Sequence, residues 1–441
     1  MKKIIFNNYR CFENLELNFS SGVNLFFGDN ASGKTTIIRA LQAALSSFFS
    51  GFSDENTRFI GLKKQDFSQI LVSENLSAYK PISLEFLFDD FVEYPELLNF
   101  DTWLGKTNSI DLTNPKGRTR ITGLKELKTY TKRLQDSMFF MGSEPKQLKS
   151  LPLFSCFTTE DIHSKRKINS KKFKTYFHKP SFGYYECLEG SGFFPYWIKR
   201  LIVLEEGQKS LSEVEAVRNA ITKALGVNGC NIINDMIVRP KQGKVYYIFS
   251  DGREVEADNL SDGYARLVNI VTDIAFRCML LNKGIYGLEA CDKTIGTVLI
   301  DEIDLHLHPS LQAKVLHSLQ FTFPKLQFIV STHAPMVMSG IKPTIENSVF
   351  KLNYSMQGGY QIKPMQTYGL DASTILDVVL DVTPRSKDVD DRLNALFNLI
   401  DIDDYANASK MLNEMRKEFG DNLPDLAKAQ AMLNFLTDDN D

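Results

Sequence analysis

The stretch FFGDNASGKTTIIRALQ, residues 26–42, holds a glycine, four residues, then Gly-Lys-Thr: Gly28, Gly33, Lys34 and Thr35. Glycines at that spacing let backbone N–H groups converge on phosphate oxygens, and a helix opening at Gly33 adds its positive end. Lys34 would reach the β- and γ-phosphates and the Thr35 hydroxyl a Mg²⁺ ion, with Asn30 and Thr36 in the same loop. The β-rich run VNLFF (23–27) precedes it. Ile37, Ile38, Leu41, Leu45 and Phe48 then recur on one helical face. Strand, glycine loop and helix together make an α/β nucleotide-binding start. What the phosphate energy does must be read elsewhere in the chain.

Working outward, KKIIFN (2–7), NLELNF (14–19) and ISLEFLF (82–88) read as strands. From about 90 to 200, aromatics, lysines, Pro and Gly alternate without a stable period, and no heptad pattern persists, so no long coiled-coil arm is expected. A helical pattern returns over 199–224, and MIVRP and KVYYIFS, split by KQG, look like a hairpin. Residues 261–282 read as a strong helix with Ser261 as its cap. IGTVLID (295–301) and LQFIVST (326–332) are apolar and β-branched, as strands covered on both faces are. Between them a helix (309–320) opens on Pro309. The end of the chain is helical and acidic, with sixteen acidic against seven basic residues in 371–441. Leu393, Leu396, Phe397 and Ile400 form one stripe of a helical hairpin or three short helices, and Tyr405, Met411, Leu412 and Met415 belong to the next segment.

The bulk numbers exclude several classes. With 441 residues, 43% apolar and 24% charged, the chain can bury an ample core across two or three domains. A net charge of −3 supplies no global field to draw it onto nucleic acid. Six cysteines without a Cys-x-x-Cys pair suggest neither a disulfide framework nor zinc, and fit reduced thiols in a cytoplasm. The opening MKKIIFNN has too short an apolar run for a signal peptide, and nothing approaches a membrane span.

Three further motifs carry chemistry. In VLIDEID (298–304), Asp301 ends a buried strand where a carboxylate can hold Mg²⁺ through water, and Glu302 could polarise an attacking water as general base. In FIVSTHAP (328–335), His333 could sense the γ-phosphate. In NLSDGYARL (259–267), Ser261 and Gly263 at a helix N-terminus make a second anion site. Two phosphate-binding helix ends in one chain suggest that ATP is shared between two subunits. His306 and His308, in LHLHP, continue the acidic motif and are not read as a metal pair.

This set resembles the ABC-type ATPase heads of the SMC, RecF and OLD group, over about 1–90 and 200–380. LSDGY corresponds to that group's LSGGQ signature, which implies that Ser261 and Gly263 bind the γ-phosphate held by a partner subunit. The resemblance places Asp304 at the D-loop, His333 at the switch histidine and Arg10 near the nucleotide, with Gln65 or Gln69 as candidates for the Q-loop glutamine. The implied fold is an α/β P-loop ATPase head with a mixed sheet, a helical signature lobe, an irregular insert and a small helical C-terminal region. The expected divisions are 1–90 and 201–380 for the ATPase core, 91–200 for the insert and 381–441 for the tail.

The tail also resembles the C-terminal region of Septu ATPase subunits (PtuA). That family pairs its ATPase with a separately encoded HNH nuclease (PtuB), and occurs beside retron reverse transcriptases. The resemblance implies an anti-phage ATPase, a homodimer or dimer of dimers, which controls a nuclease and has possible contacts with nucleic acid or with a reverse transcriptase and its retron DNA or RNA. A TOPRIM nuclease domain needs on the order of a hundred residues; only about 60 follow the core here. The alternatives are an SMC- or RecF-like DNA-repair clamp and, less fittingly, a transporter subunit. For nucleic acid, HSKRKINSKKFKTYFHKP (163–180) offers Lys165, Arg166, Lys167, Lys171, Lys172 and Lys174 interleaved with aromatics, which suits backbone contact plus stacking.

Overall fold

The computed structural model describes residues 1–54, 57–72, 76–88, 106–139, 150–159, 180–190, 193–207, 211–355, 359–382 and 385–438. The basic run Lys165–Lys174 lies outside them. The chain divides into two compact units, Met1–Asp371 and Ala372–Asp441.

The core of the first unit is a six-stranded sheet in the order β15-β14-β3-β13-β12-β8. Its strands are β3 (Val23–Gly28), β8 (Leu153–Phe157), β12 (Gly296–Ile300), β13 (Leu326–Ser331), β14 (Ser348–Ser355) and β15 (Gly359–Pro364). The five strands from β14 to β8 run parallel, and β15 pairs antiparallel at the edge. VNLFFG, GTVLI and LQFIVS are buried at every position, so their apolar runs face covered surfaces on both sides. Ile300 sits opposite Val330, and Ser331 opposite Phe26. That register brings Asp301, Thr332 and the glycine loop to the same end of the sheet, the carboxyl end where open α/β sheets place ligands.

A second, antiparallel sheet has the order β2-β1-β6-β7, from β1 (Lys3–Tyr9), β2 (Phe12–Asn18), β6 (Ile82–Leu87) and β7 (Asn108–Leu112). β4 (Gln69–Val72) and β5 (Leu76–Tyr79) form a hairpin, and β9 (Ile233–Arg239), β10 (Lys244–Phe249) and β11 (Glu254–Glu256) form a three-stranded meander.

Helix α1 (Lys34–Ser46) follows the glycine loop, α2 (Lys125–Phe139) follows β7, and α3 (Phe194–Glu206) and α4 (Leu211–Leu225) follow β8. The helical pattern at 199–224 is thus two helices: α3 ends at Glu206, with Gly207 as its cap. The long α5 (Asp262–Tyr286) is fastened to the core sheet by one buried carboxylate. Asp273 accepts from Ser155 Oγ of β8, Trp197 Nε1 of α3 and Arg277 Nε, each at 2.7 Å. Two sheet strands, β7 and β8, come from the stretch read as an insert. Each is only five residues long, too short for a period to stand out. Helix α6 (Pro309–Thr322) opens on Pro309 as expected.

The second unit contains α7 (Lys387–Asp401), α8 (Tyr405–Phe419) and α9 (Pro424–Asp438). Leu393, Leu396 and Ile400 of α7 pack with Leu412 and Met415 of α8 and Leu426 and Leu433 of α9 in a small core. Of the two tail forms the sequence allows, the three-helix one is present. No helix among the described residues is long and apolar enough to cross a membrane.

Candidate nucleotide site

The loop after β3 is shaped by its glycines. Gly28 has φ 148° and Gly33 φ 102°. A Cβ on Gly28 would stand 2.3 Å from the Leu352 carbonyl oxygen, and one on Gly33 2.6 Å from the Phe12 ring, so both positions exclude larger residues. Lys34, at the first turn of α1, is buried. Its Nζ donates to the Gly28 and Asp29 carbonyls, both at 2.8 Å, and to Ser32 Oγ at 3.3 Å. Burial pushes the Lys34 ammonium below the ordinary lysine range, while Asp301, Glu302, Asp29 and Asp304 pull it back up.

The acidic strand end is set by hydrogen bonds from β13. Buried Asp301 accepts from Ser331 Oγ at 2.5 Å, and Ser331 Oγ accepts from the Glu302 N–H at 2.8 Å. One serine therefore orients both acids. Glu302 has φ 52°, a left-handed conformation costing on the order of 1–3 kcal/mol and typical of functional positions. Asp304 accepts from Thr332 Oγ1 at 2.5 Å and from the His333 N–H at 3.3 Å, which fixes the turn that carries His333.

These segments converge on one cleft of about 340 Å³, walled by Asn30, Gly33, Lys34, Thr35 and Thr36 of the loop, by Glu302 and His333, and by Cys11 and Tyr360. A cradle of backbone N–H groups with an ammonium, a hydroxyl, a carboxylate and an imidazole can bind a polyphosphate and hold a water beside its end.

Other sequence candidates lie elsewhere. Arg10 is held on Asp66, with Nε and Nη2 at 2.8 and 2.7 Å from one carboxylate oxygen. Its neighbour Cys11 lines the cleft instead. Gln65 is exposed on a short turn (Lys64–Asp66) and walls a separate depression with Phe67 and Tyr79. Gln69 lies in β4. Ser261 precedes α5 with no side-chain cap bond, is exposed and stays outside the chain's own cleft. Gly263 is buried against the chain, where a Cβ would meet the His306 carbonyl at 2.3 Å.

Sequence reasoning did not single out Ser331, Arg266, Cys11 or Tyr360. Ser331 stands in the quoted STH motif and could have been found there. Buried Arg266 of α5 donates to the carbonyls of Glu302 and Asp301, and no sequence signal marks that contact.

The family model described as "AAA domain, putative AbiEii toxin, Type IV TA system" matches residues 23–339, and the chain belongs to that family of ATPases. Retron Ec83 probable ATPase of Escherichia coli is 26% identical in an alignment covering 94% of this chain and 82% of that protein. Septu protein PtuA of Bacillus thuringiensis is 22% identical across 83% of this chain and 80% of its own length. Retron Vc95 probable ATPase of Vibrio cholerae serotype O1 biovar El Tor is 41% identical over 107 residues, and the chain spans only 20% of its length in that match. Among solved structures, an SMC head bound to the C-terminal winged-helix domain of ScpA is 15% identical with a TM-score of 0.47, covering 83% of this chain and 98% of that one.

Proposed function

We propose that this AAA-family chain is the ATPase subunit of an anti-phage defence complex, hydrolysing ATP at a head-to-tail dimer interface and controlling a separate HNH-type nuclease. One observation carries the catalytic part: the phosphate loop, Glu302 and His333 wall a single cleft, with Glu302 oriented from both sides by Ser331 and Arg266.

Lys34 would bind the β- and γ-phosphates. Thr35 Oγ1 and the Asp301 carboxylate would hold Mg²⁺, the latter through water. They fit that ion as hard oxygen donors, and Mg²⁺ is held by one or two protein ligands more often than by a closed cage. When bound, it would neutralise charge on the triphosphate. The Glu302 carboxylate would accept the proton of the attacking water, and His333 would contact the γ-phosphate end. Ser261 and Gly263 of one chain would complete the site of the other, with Asp304 at the interface; the exposed, uncapped Ser261 outside its own cleft supports this reading.

The defence role rests on the two relatives matched over at least four-fifths of both chains, named for retron and Septu systems. The acidic unit over 381–441 would dock the effector. The basic run within 91–200 would carry the nucleic-acid contact, and the complex would work in the cytoplasm. Purification from the native operon tests the effector part: a co-purifying nuclease supports it, and an ATPase recovered without any nuclease overturns it. A reverse transcriptase in its place would identify a retron complex.

A further inference from the structure

The cleft has two chemically different ends, and the sheet order says which is which. β3, which feeds the phosphate loop, has β13 and β12 on one side, and these lead into His333 and Glu302. On the other side stand β14 and β15, and β15 carries Tyr360. At about 4.8 Å between neighbouring strands, the β15 edge lies roughly 10 Å from the β3 axis. A triphosphate whose γ end faces Glu302 and His333 therefore extends its nucleoside toward the β15 side.

What waits there is aromatic. The Tyr360 ring lies edge-on to Phe12 at 5.5 Å and against Tyr354 at 4.8 Å between centroids. Phe12 is in turn edge-on to Phe6 at 5.3 Å in the second sheet. Tyr360 is thus braced from two directions while keeping partial exposure on the cleft. Cys11 stands beside it, partly buried, with Sγ 3.4 Å from where a Gly33 Cβ would be.

We propose that Tyr360 is the base platform of this nucleotide site: its ring stacks on the purine, with the Cys11 side chain packed beside the ribose. This rests on the nucleotide reading of the cleft and adds the element that recognises the nucleoside. Stacking acts on any base with a π-face, so such a platform grips adenine and guanine alike and discriminates them little.

The test compares binding of ATP, GTP and inorganic tripolyphosphate, each with Mg²⁺, to the full chain and to Tyr360→Ala and Tyr360→Phe. Tyr360→Ala is expected to weaken ATP and GTP by about 5- to 100-fold, the range base–aromatic stacking supplies, with tripolyphosphate unchanged. Tyr360→Phe is expected to restore both nucleotides, because the ring and not the hydroxyl does the stacking. Equal losses for ATP and tripolyphosphate in Tyr360→Ala, or no loss of ATP, overturn the platform. If wild type binds tripolyphosphate but Tyr360→Ala leaves ATP untouched, only the platform fails. If wild type binds neither, the nucleotide reading fails with it.

Discussion

Arg266, from the second turn of the helix headed by Ser261, donates to the main-chain carbonyls of Glu302 at 2.5 Å and Asp301 at 2.7 Å. The side chain is fully buried. The helix N-terminus and the acidic strand end are therefore one rigid piece, and movement at Ser261 reaches Glu302 through two charge-assisted bonds. Gly263, packed under the His306 carbonyl, adds a second contact between the same segments. Replacing Arg266 by Met takes the side-chain donor from the Asp301 carbonyl, while the Glu302 carbonyl keeps its bond from the Leu305 N–H, at a cost on the order of 1–3 kcal/mol. The expected outcome is a lower Tm together with hydrolysis reduced more than ATP affinity. A variant that is destabilised yet hydrolyses at the wild-type rate would show that the contact is structural alone.

Glu302→Gln keeps the side-chain shape and the backbone N–H bond to Ser331, while removing the proposed base. Turnover should fall by about 10²- to 10⁴-fold, with ATP affinity retained. Single-turnover hydrolysis and equilibrium binding separate the two. Wild-type turnover in this variant would move the base elsewhere in the cleft.

Lys34 gives the site a pH dependence with a definite sign. Burial lowers its pKa from the ordinary lysine value of 10.5, so in the folded chain the ammonium gives up its proton earlier as pH rises. The unfolded chain holds the proton longer, so this group's contribution to stability increases with pH. Triphosphate binding has the opposite dependence: it needs the charge, and weakens on the alkaline side before the ordinary lysine range is reached. Binding also takes up protons there, which calorimetry in buffers of different ionisation enthalpy will register. Lys34→Ala should lose most affinity and all of this proton uptake.

How much of this could be read beforehand follows from the physics of each segment. The phosphate loop, VLIDEID and STH were legible because their chemistry is local: glycines, a strand-end carboxylate and a turn imidazole stand within a few residues of each other. The long apolar strands were legible because burial on both faces leaves a continuous run. LFSCF was not; five residues at the edge of the core sheet, inside an irregular stretch, have no context until β12 pairs with them. Arg266 and Tyr360 were invisible for a related reason. Each matters through a partner distant in sequence, Glu302 for the first and Phe12 for the second, and a single sequence carries no trace of such pairings.

Thiol chemistry offers an independent probe of the cleft. Five of the six cysteines are buried, and Cys11 alone is partly exposed. Burial pushes the Cys11 thiol up, with hydrogen bonding to Thr36 drawing it partly back. Cys187, fully enclosed, is pushed up to about 12. Iodoacetamide reacts with thiolate, so it should label Cys11 first, faster as pH is raised, and more slowly with ATP present. Peptide mass spectrometry reads the site directly. Faster labelling at Cys187 in the folded protein would contradict the packing described here.

The proposed shared site makes the most specific prediction. In a twofold head-to-tail dimer, each composite site takes Lys34 from one chain and Ser261 from the other. Lys34→Ala chains alone have two sites without the phosphate-binding lysine, and Ser261→Arg chains alone have two sites with a bulky cation against the γ-phosphate. Both preparations should be inactive. In a mixed dimer the two lesions fall together in one site, leaving the other with an intact Lys34 and an intact Ser261. Random mixing in equal amounts makes half the dimers mixed, so hydrolysis should return to about a quarter of wild type when the two sites act independently. A lower return would indicate that both sites must fire together. No return, with mixed dimers demonstrated by differently tagged chains, would mean that ATP is hydrolysed within one chain and that Ser261 serves another purpose.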